Sequence, residues 1–296
     1  MSWISIEPFW METRDGARIY GERRGEGPAL VLIYGIACQM NHWIHQINGL
    51  SAFYQVVTFD LRGHVRSTPG NPQELTISGL VQDVVEILDF LNLPQAHFAG
   101  HSMGVPILLQ LSAQHPQRVQ SQVLINGFGR NPLEKFLGIN LPQYVLPIIK
   151  KIHKEDAEAM SYLWRKLVEN PLSILIAGAT GGFNLDVTEL KDIEIYTRGV
   201  AHMDLGVFLP LFESLLSFSA RDFYPLIKSP TLIIGGEKDR ITPAEFQLEM
   251  HKAIQNSEFV QIHYGSHCCQ LDFPEYVNLL IRNHIERHHL RLLAMS

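Results

Sequence analysis

Ala29-Leu30-Val31-Leu32-Ile33 is an unbroken apolar run, and similar runs recur at Gln55–Phe59, Ala96–Ala99, Gln122–Ile125, Thr231–Ile234 and Phe259–Ile262. Runs like these suit strands covered on both faces, as in a parallel sheet flanked by helices. Helical patterns lie between them. Leu80, Val84, Ile87, Leu88 and Leu91 repeat at i, i+4, i+7, i+8 and i+11, one apolar face of a helix. Val105–Ala113 runs on from a strand and stops before Pro116, with Pro106 tolerated in the first turn, where N–H groups lack intrahelical partners. Pro274–His288 is again helical. At the start, Arg14-Asp15-Gly16 separates the β-rich runs Pro8–Thr13 and Ala17–Glu22 and reads as a hairpin turn. Strand and helix in alternation predict an α/β sheet with right-handed crossovers.

The alternation fails between about Phe128 and Ala220. Helical runs continue there at Pro147–Ile152, Ala157–Val168 and Phe208–Phe218, with no convincing strand. The predicted division is a core of residues 1–127 and 221–296, with a helical cap of residues 128–220 inserted after the sixth strand.

The chain has 296 residues, 46% apolar and 18% charged, enough for one large domain with an insertion. A formal net charge of −6 argues against nucleic acid as a partner, since that needs a basic face. No window approaches 18 consecutive apolar residues, so no stable membrane insertion is expected. Met-Ser-Trp-Ile-Ser-Ile-Glu has neither the basic region nor the apolar stretch of a secretory signal. Cys38, Cys268 and Cys269 form no even disulfide framework, and free thiols in a reducing cytoplasm are expected.

The chemistry centres on Ala99-Gly100-His101-Ser102-Met103-Gly104, a strand running into G-x-S-x-G and then a helix. Glycines beside the serine let strand and helix approach across a strained turn that lifts the hydroxyl out at the sheet's carboxyl edge. Ser102 is the candidate nucleophile. A serine hydroxyl needs a neighbouring base, itself oriented by a third group, and at an elbow of this kind acid and base follow in chain order. Asp239 lies in Gly235-Gly236-Glu237-Lys238-Asp239 after an apolar strand and is the candidate acid, with Glu237 as runner-up. Asn126, after the preceding strand, is not an acid, so that alternative position looks empty. His267 follows the last strand in Tyr264-Gly265-Ser266-His267 and is the candidate base. The backbone N–H groups of Met103 and Ile36 are the candidate oxyanion donors.

With these segments in place, the chain resembles the α/β-hydrolases of the broad esterase, lipase and haloperoxidase-like group, over nearly its whole length. The resemblance rests on Asp15-Gly16, Asp60-Leu61-Arg62-Gly63-His64, the elbow, Gly236 with Asp239 and Pro243, and Gly265 with His267. It implies a mostly parallel eight-stranded sheet, a helical cap and acyl-enzyme chemistry without metal or organic cofactor. Three positions depart from the family pattern. Tyr34 stands where His is usual before Gly35, Val65 replaces a glycine after His64, and Val105 replaces a glycine after the elbow. The expected activity is hydrolysis of a small to medium hydrophobic carboxylic ester. Lactonase, thioesterase, C–C bond hydrolase or perhydrolase would share the same residues, and a ligand receptor on the same fold is the minority alternative. Oligomeric state is left open.

Weaker signals have plainer readings. Arg62 and His64 are expected to form a structural network around the elbow. His284, His288 and His289 have helical spacing but read as a solvated terminal helix rather than a metal site. Phe136, Tyr144, Tyr162 and Trp164 are expected mostly to pack the cap, some lining a pocket. Cys268 and Cys269 read as small apolar packing residues.

Overall fold

The computed structural model describes residues 5–133 and 141–295. Phe136 lies outside the described residues, as does the side chain of His289. The Asp15-Gly16 turn joins β1 (Ile6–Glu12) to β2 (Arg18–Arg24) in an antiparallel hairpin, with Gly16 in the left-handed region at φ +85°. β3 (Ala29–Ile33), β4 (Gln55–Phe59), β5 (Ala96–His101), β6 (Val119–Ile125), β7 (Thr231–Gly236) and β8 (Ser257–Ile262) complete one sheet. The order is β1-β2-β4-β3-β5-β6-β7-β8, parallel from β4 to β8, with β2 antiparallel to both its neighbours. Eight mostly parallel strands flanked by helices are what the sequence led us to expect.

That order contains a reversal. The chain moves outward from β3 to β4, then crosses back to place β5 on the other side of β3. Loops leaving β3 and β5 therefore diverge, opening a crevice at the carboxyl ends of the strands, where open α/β sheets bind ligands.

β3 and β5 are buried at every position, as the apolar runs predict. β8 is the edge strand and only Ile262 in it is fully buried, so the sixth run is not covered on both faces. α1 (Ile44–Leu50), α2 (Ile77–Phe90), α3 (Gly104–Gln114), α9 (Ala244–Ala253), α10 (Cys269–Asp272) and α11 (Pro274–Met295) belong to the sheet-bearing part of the chain. α2 starts where the Thr76 side chain accepts a hydrogen bond from Gly79 N, a cap worth about 1 kcal/mol.

Between β6 and β7 lie α4 (Leu141–Glu155), α5 (Ala157–Val168), α6 (Pro171–Ala179), α7 (Leu190–Ala201) and α8 (Leu205–Ser217). The two ends of this insertion meet in an isolated antiparallel bridge, Arg130 opposite Ser219, with Ala220 N donating to Gly129 O at 2.7 Å. Leu146, Leu205 and Leu209 form the insertion's own small core, and Val207, Leu211 and Leu215 of α8 join the main core. No single helix among the described residues is long and apolar enough to cross a membrane.

Candidate active site

The elbow forms because β5 ends at His101 and α3 begins at Gly104, leaving two residues to reverse the chain. Ser102 takes up the turn at φ +54°, a left-handed conformation costly for a residue with a Cβ. The loop after β3 passes close over it. A Cβ placed on Gly35 would lie 2.8 Å from Ser102 Cβ and 3.2 Å from its Oγ, so only glycine lets this loop seat beside the serine.

His267 Nε2 lies 3.1 Å from Ser102 Oγ, and its Nδ1 lies 2.9 Å from Asp239 Oδ2. Because a carboxylate only accepts, Nδ1 carries the ring hydrogen, which leaves Nε2 bare to accept the Ser102 proton. Asp239 is held from several sides. Oδ1 accepts from the backbone N–H groups of Ile241 and Thr242 at 2.9 and 2.8 Å, and Oδ2 accepts from Asn126 Nδ2 at 2.8 Å. Thr242 Oγ1 lies 2.7 Å from Oδ2. Burial pushes this carboxyl upward, but electrostatic attraction to the His267 ring and the hydrogen bonds from His267 and Thr242 outweigh it and hold the acid below its ordinary range.

Ile36 and Met103 flank the serine on the two diverging loops. Among the described residues, neither backbone N–H donates to another backbone carbonyl, which leaves both donors for a developing oxyanion. The geometry thus offers a hydroxyl, a base in the accepting tautomer, a buried counter-charge and two free amides, a set suited to acyl transfer.

The structure brings Ser102, Asp239, His267, Ile36 and Met103 to this one end of the sheet. It does not bring Glu237, the runner-up acid, whose exposed carboxylate lies 2.7 Å from His263 Nδ1 and accepts from Tyr264 N. Asn126 was an empty position to sequence reasoning because an acid was sought there. Its amide instead bridges Asp239 and the carbonyl of Ser266, at 2.8 and 3.1 Å. The available signal was its place at the carboxyl end of β6, beside β7. His101 was also missed. It is buried, and its Nε2 donates to His267 O at 2.8 Å, while burial pushes its pKa down to about 3 and keeps the ring neutral.

Arg62 is a structural hub, donating to Asp83 and Asp15 together, and His64 Nε2 accepts from Ala37 N in the loop after β3. Tyr34 fills the unusual position by accepting a hydrogen bond from Leu61 N at 2.7 Å. The terminal helix is not simply solvated. His284 and His288 are buried, because that face of α11 packs inward, with His284 Nε2 3.3 Å from Pro230 O. Tyr144 and Tyr162 are exposed rather than packed, lying on the outer faces of α4 and α5. Trp164 packs at a tilt against Phe208, with ring centroids 5.4 Å apart, and its Nε1 donates to Val200 O, which places it inside the insertion's own packing. Cys38, Cys268 and Cys269 are buried free thiols.

A family model described as alpha/beta hydrolase fold matches residues 28–149. The chain is 25% identical over 275 residues to a protein of Stutzerimonas stutzeri named as a carbamate hydrolase, RutD, covering 90% of this chain and 95% of that one. An esterase from Exiguobacterium antarcticum superposes with a TM-score of 0.77 at 20% identity, covering 95% of this chain and 100% of the other. The enol-lactonase from Burkholderia xenovorans superposes with a TM-score of 0.76 at 22% identity, covering 94% and 99%.

Proposed function

We propose that this chain, which has the α/β-hydrolase fold, is a serine hydrolase cleaving small to medium hydrophobic carboxylic esters through an acyl-enzyme. The observation that carries this reading is the continuous path Ser102 Oγ–His267 Nε2, His267 Nδ1–Asp239 Oδ2, at 3.1 and 2.9 Å. Ser102 attacks the ester carbonyl as its proton passes to His267 Nε2. The imidazolium so formed is stabilised by Asp239. The tetrahedral oxyanion is met by the N–H groups of Ile36 and Met103, each worth about 3–4 kcal/mol of transition-state stabilisation. His267 returns the proton to the leaving alkoxide, and water attacks the acyl-enzyme by the same route. The helices between β6 and β7 act in this reading as a cap that shapes the acyl pocket.

A carbamate is the second reading, favoured by the near full-length similarity to proteins named as carbamate hydrolases. The same residues would serve, with the carbamoyl group held on Ser102. A lactone is the corresponding cyclic ester. The test is turnover of p-nitrophenyl esters of increasing chain length, beside a lactone, a thioester and an aryl carbamate. Faster turnover of the carbamate than of every ester would move the assignment to the second reading. Failure of all of them, with no labelling by a fluorophosphonate, would overturn both.

A further inference from the structure

Asp272 is a buried carboxylate that the proposed chemistry does not use. It stands at the end of α10, a few residues after His267, and it joins two parts of the chain. Its Oδ2 accepts from both the backbone N–H and the hydroxyl of Ser266, at 2.6 and 2.7 Å. Its Oδ1 accepts from the hydroxyl of Thr188, which lies in the helical insertion just before α7. Ser266 immediately precedes His267. The same insertion segment touches the base's loop at three further points: His267 N donates to Gly181 O at 2.8 Å, Asn184 Nδ2 donates to Tyr264 O at 2.7 Å, and Ser266 Oγ lies 3.3 Å from Gly182 O. Phe183 and Ile193 of the insertion close this seam in one apolar cluster with Cys268 and Leu271.

A carboxylate is the side chain this place calls for. Ser266 presents two donors to one oxygen and Thr188 a third to the other. Only an ionised carboxyl accepts all three without offering a hydrogen of its own. Burying such a charge is costly unless it is fully hydrogen-bonded, so a purely packing role would be served better by an apolar side chain.

We propose that Asp272 is a positioning residue that transmits the seating of the insertion, through Thr188, to the loop that carries His267. The inference rests on the reading of His267 as base. In it the residues around 180–193 are a fixed half of the base's support rather than a lid lifting as a whole. Correct placement of Nε2 against Ser102 then requires this segment docked.

The test compares Thr188→Val, Thr188→Ser and Asp272→Asn in the full chain, reading kcat and KM for p-nitrophenyl butyrate, the fluorophosphonate labelling rate and the melting temperature. Thr188 touches none of Ser102, His267 or Asp239, so Thr188→Val removes the link to Asp272, with the hydroxyl's local 2.9 Å contact to Asn184 O, and leaves those three side chains untouched. It lowers kcat and the labelling rate by roughly 10- to 100-fold, the scale of an ångström-sized misplacement, with KM within about twofold. Thr188→Ser restores the hydroxyl and both rates. Asp272→Asn loses at least as much as Thr188→Val, and combining the two adds little, because both break one chain of contacts. Wild-type kcat in Thr188→Val, or an equal loss in Thr188→Ser, overturns the proposal while leaving the serine-hydrolase reading intact. A wild-type protein that is neither labelled nor active on any ester defeats that reading and this inference with it. A fall in melting temperature at unchanged kcat shows Asp272 to be structural only and also overturns it.

Discussion

The left-handed turn at Ser102 is strain kept in place by a strand on one side and a helix on the other, and the reactivity of the residue should match that expense. Ser102→Ala is expected to remove ester turnover by a factor approaching about 10⁶ and to abolish fluorophosphonate labelling. Labelling that persists would locate the nucleophile elsewhere. Asp239→Asn should cost on the order of 10⁴ in kcat by permitting the wrong tautomer, while Glu237→Gln, altering an exposed carboxylate, leaves kcat within about twofold. The reverse ranking would assign the acid to Glu237. These positions were legible because each follows an apolar strand directly, so local sequence fixes where it emerges. Asn126 and Asp272 were not: Asn126 also follows a strand directly, but an amide is not the acid that position is searched for, and Asp272 stands inside a short helix with no motif to mark it, so both roles show only with their partners, 113 and 84 residues away. Val65 shows the reverse. Sequence flagged it as a missing glycine, and the structure gives the reason to care: an exposed β-branched residue at φ +46°. Val65→Gly should relieve roughly 1 kcal/mol of backbone strain, seen as a melting temperature higher by about 2 °C. An unchanged or lower value would mean the valine side chain contributes contacts that offset the strain.

Among the elements, the junction of α3 with β6 shows how a departure is absorbed. Val105 stands where the resemblance leads one to expect glycine, and the compensation lies at Gly127, just beyond β6. A Cβ on Gly127 would come within 2.2 Å of Val105 Cγ2. Gly127→Ala should therefore destabilise by about 1–3 kcal/mol through overpacking. Most of that loss should vanish only in a Val105→Gly background, because Val105 Cβ itself lies 2.3 Å from the same position. Urea denaturation of the two single variants and the double variant measures it, and additive losses would mean the two positions do not share this space. Strand and helix positions in the sheet were readable because period and length differ between them. The insertion was readable only as helical. Its outward faces are rich in Tyr144, Ile148, Tyr162 and Leu167, all more than half exposed, so apolar content there did not mark what is buried. The face of α11 carrying His284 failed for the converse reason: a histidine can be buried when one ring nitrogen finds a carbonyl, and no pattern in a single sequence announces that partner.

For the molecule as a whole, four buried histidines set its response to acid. Burial pushes His42 and His101 down to about 3 and His64 and His284 down to about 4. Below the ordinary imidazole value of about 6.5 the unfolded chain binds protons that the folded chain refuses, so stability falls as pH drops from there toward about 4. Each histidine contributes a slope of up to about 1.4 kcal/mol per pH unit, and the carboxyls of Asp83, Asp60 and Asp272, all raised by burial, oppose them. Urea midpoints measured between about pH 7 and pH 5 should decline steeply, before most carboxylates titrate; a flat profile would show these rings protonated or rehydrated in the native state. The pinched neck at Arg130 and Ser219 carries a different consequence. A long insertion whose two ends are already joined asks little of the sheet's chain entropy, so lineages could exchange it as a cassette and alter substrate range in one step. The Thr188–Asp272 contact limits that freedom. A transplanted cassette would fold onto the sheet yet work poorly unless it brought its own donor to Asp272, so the borders of a productive exchange extend past the neck to the loop after β8.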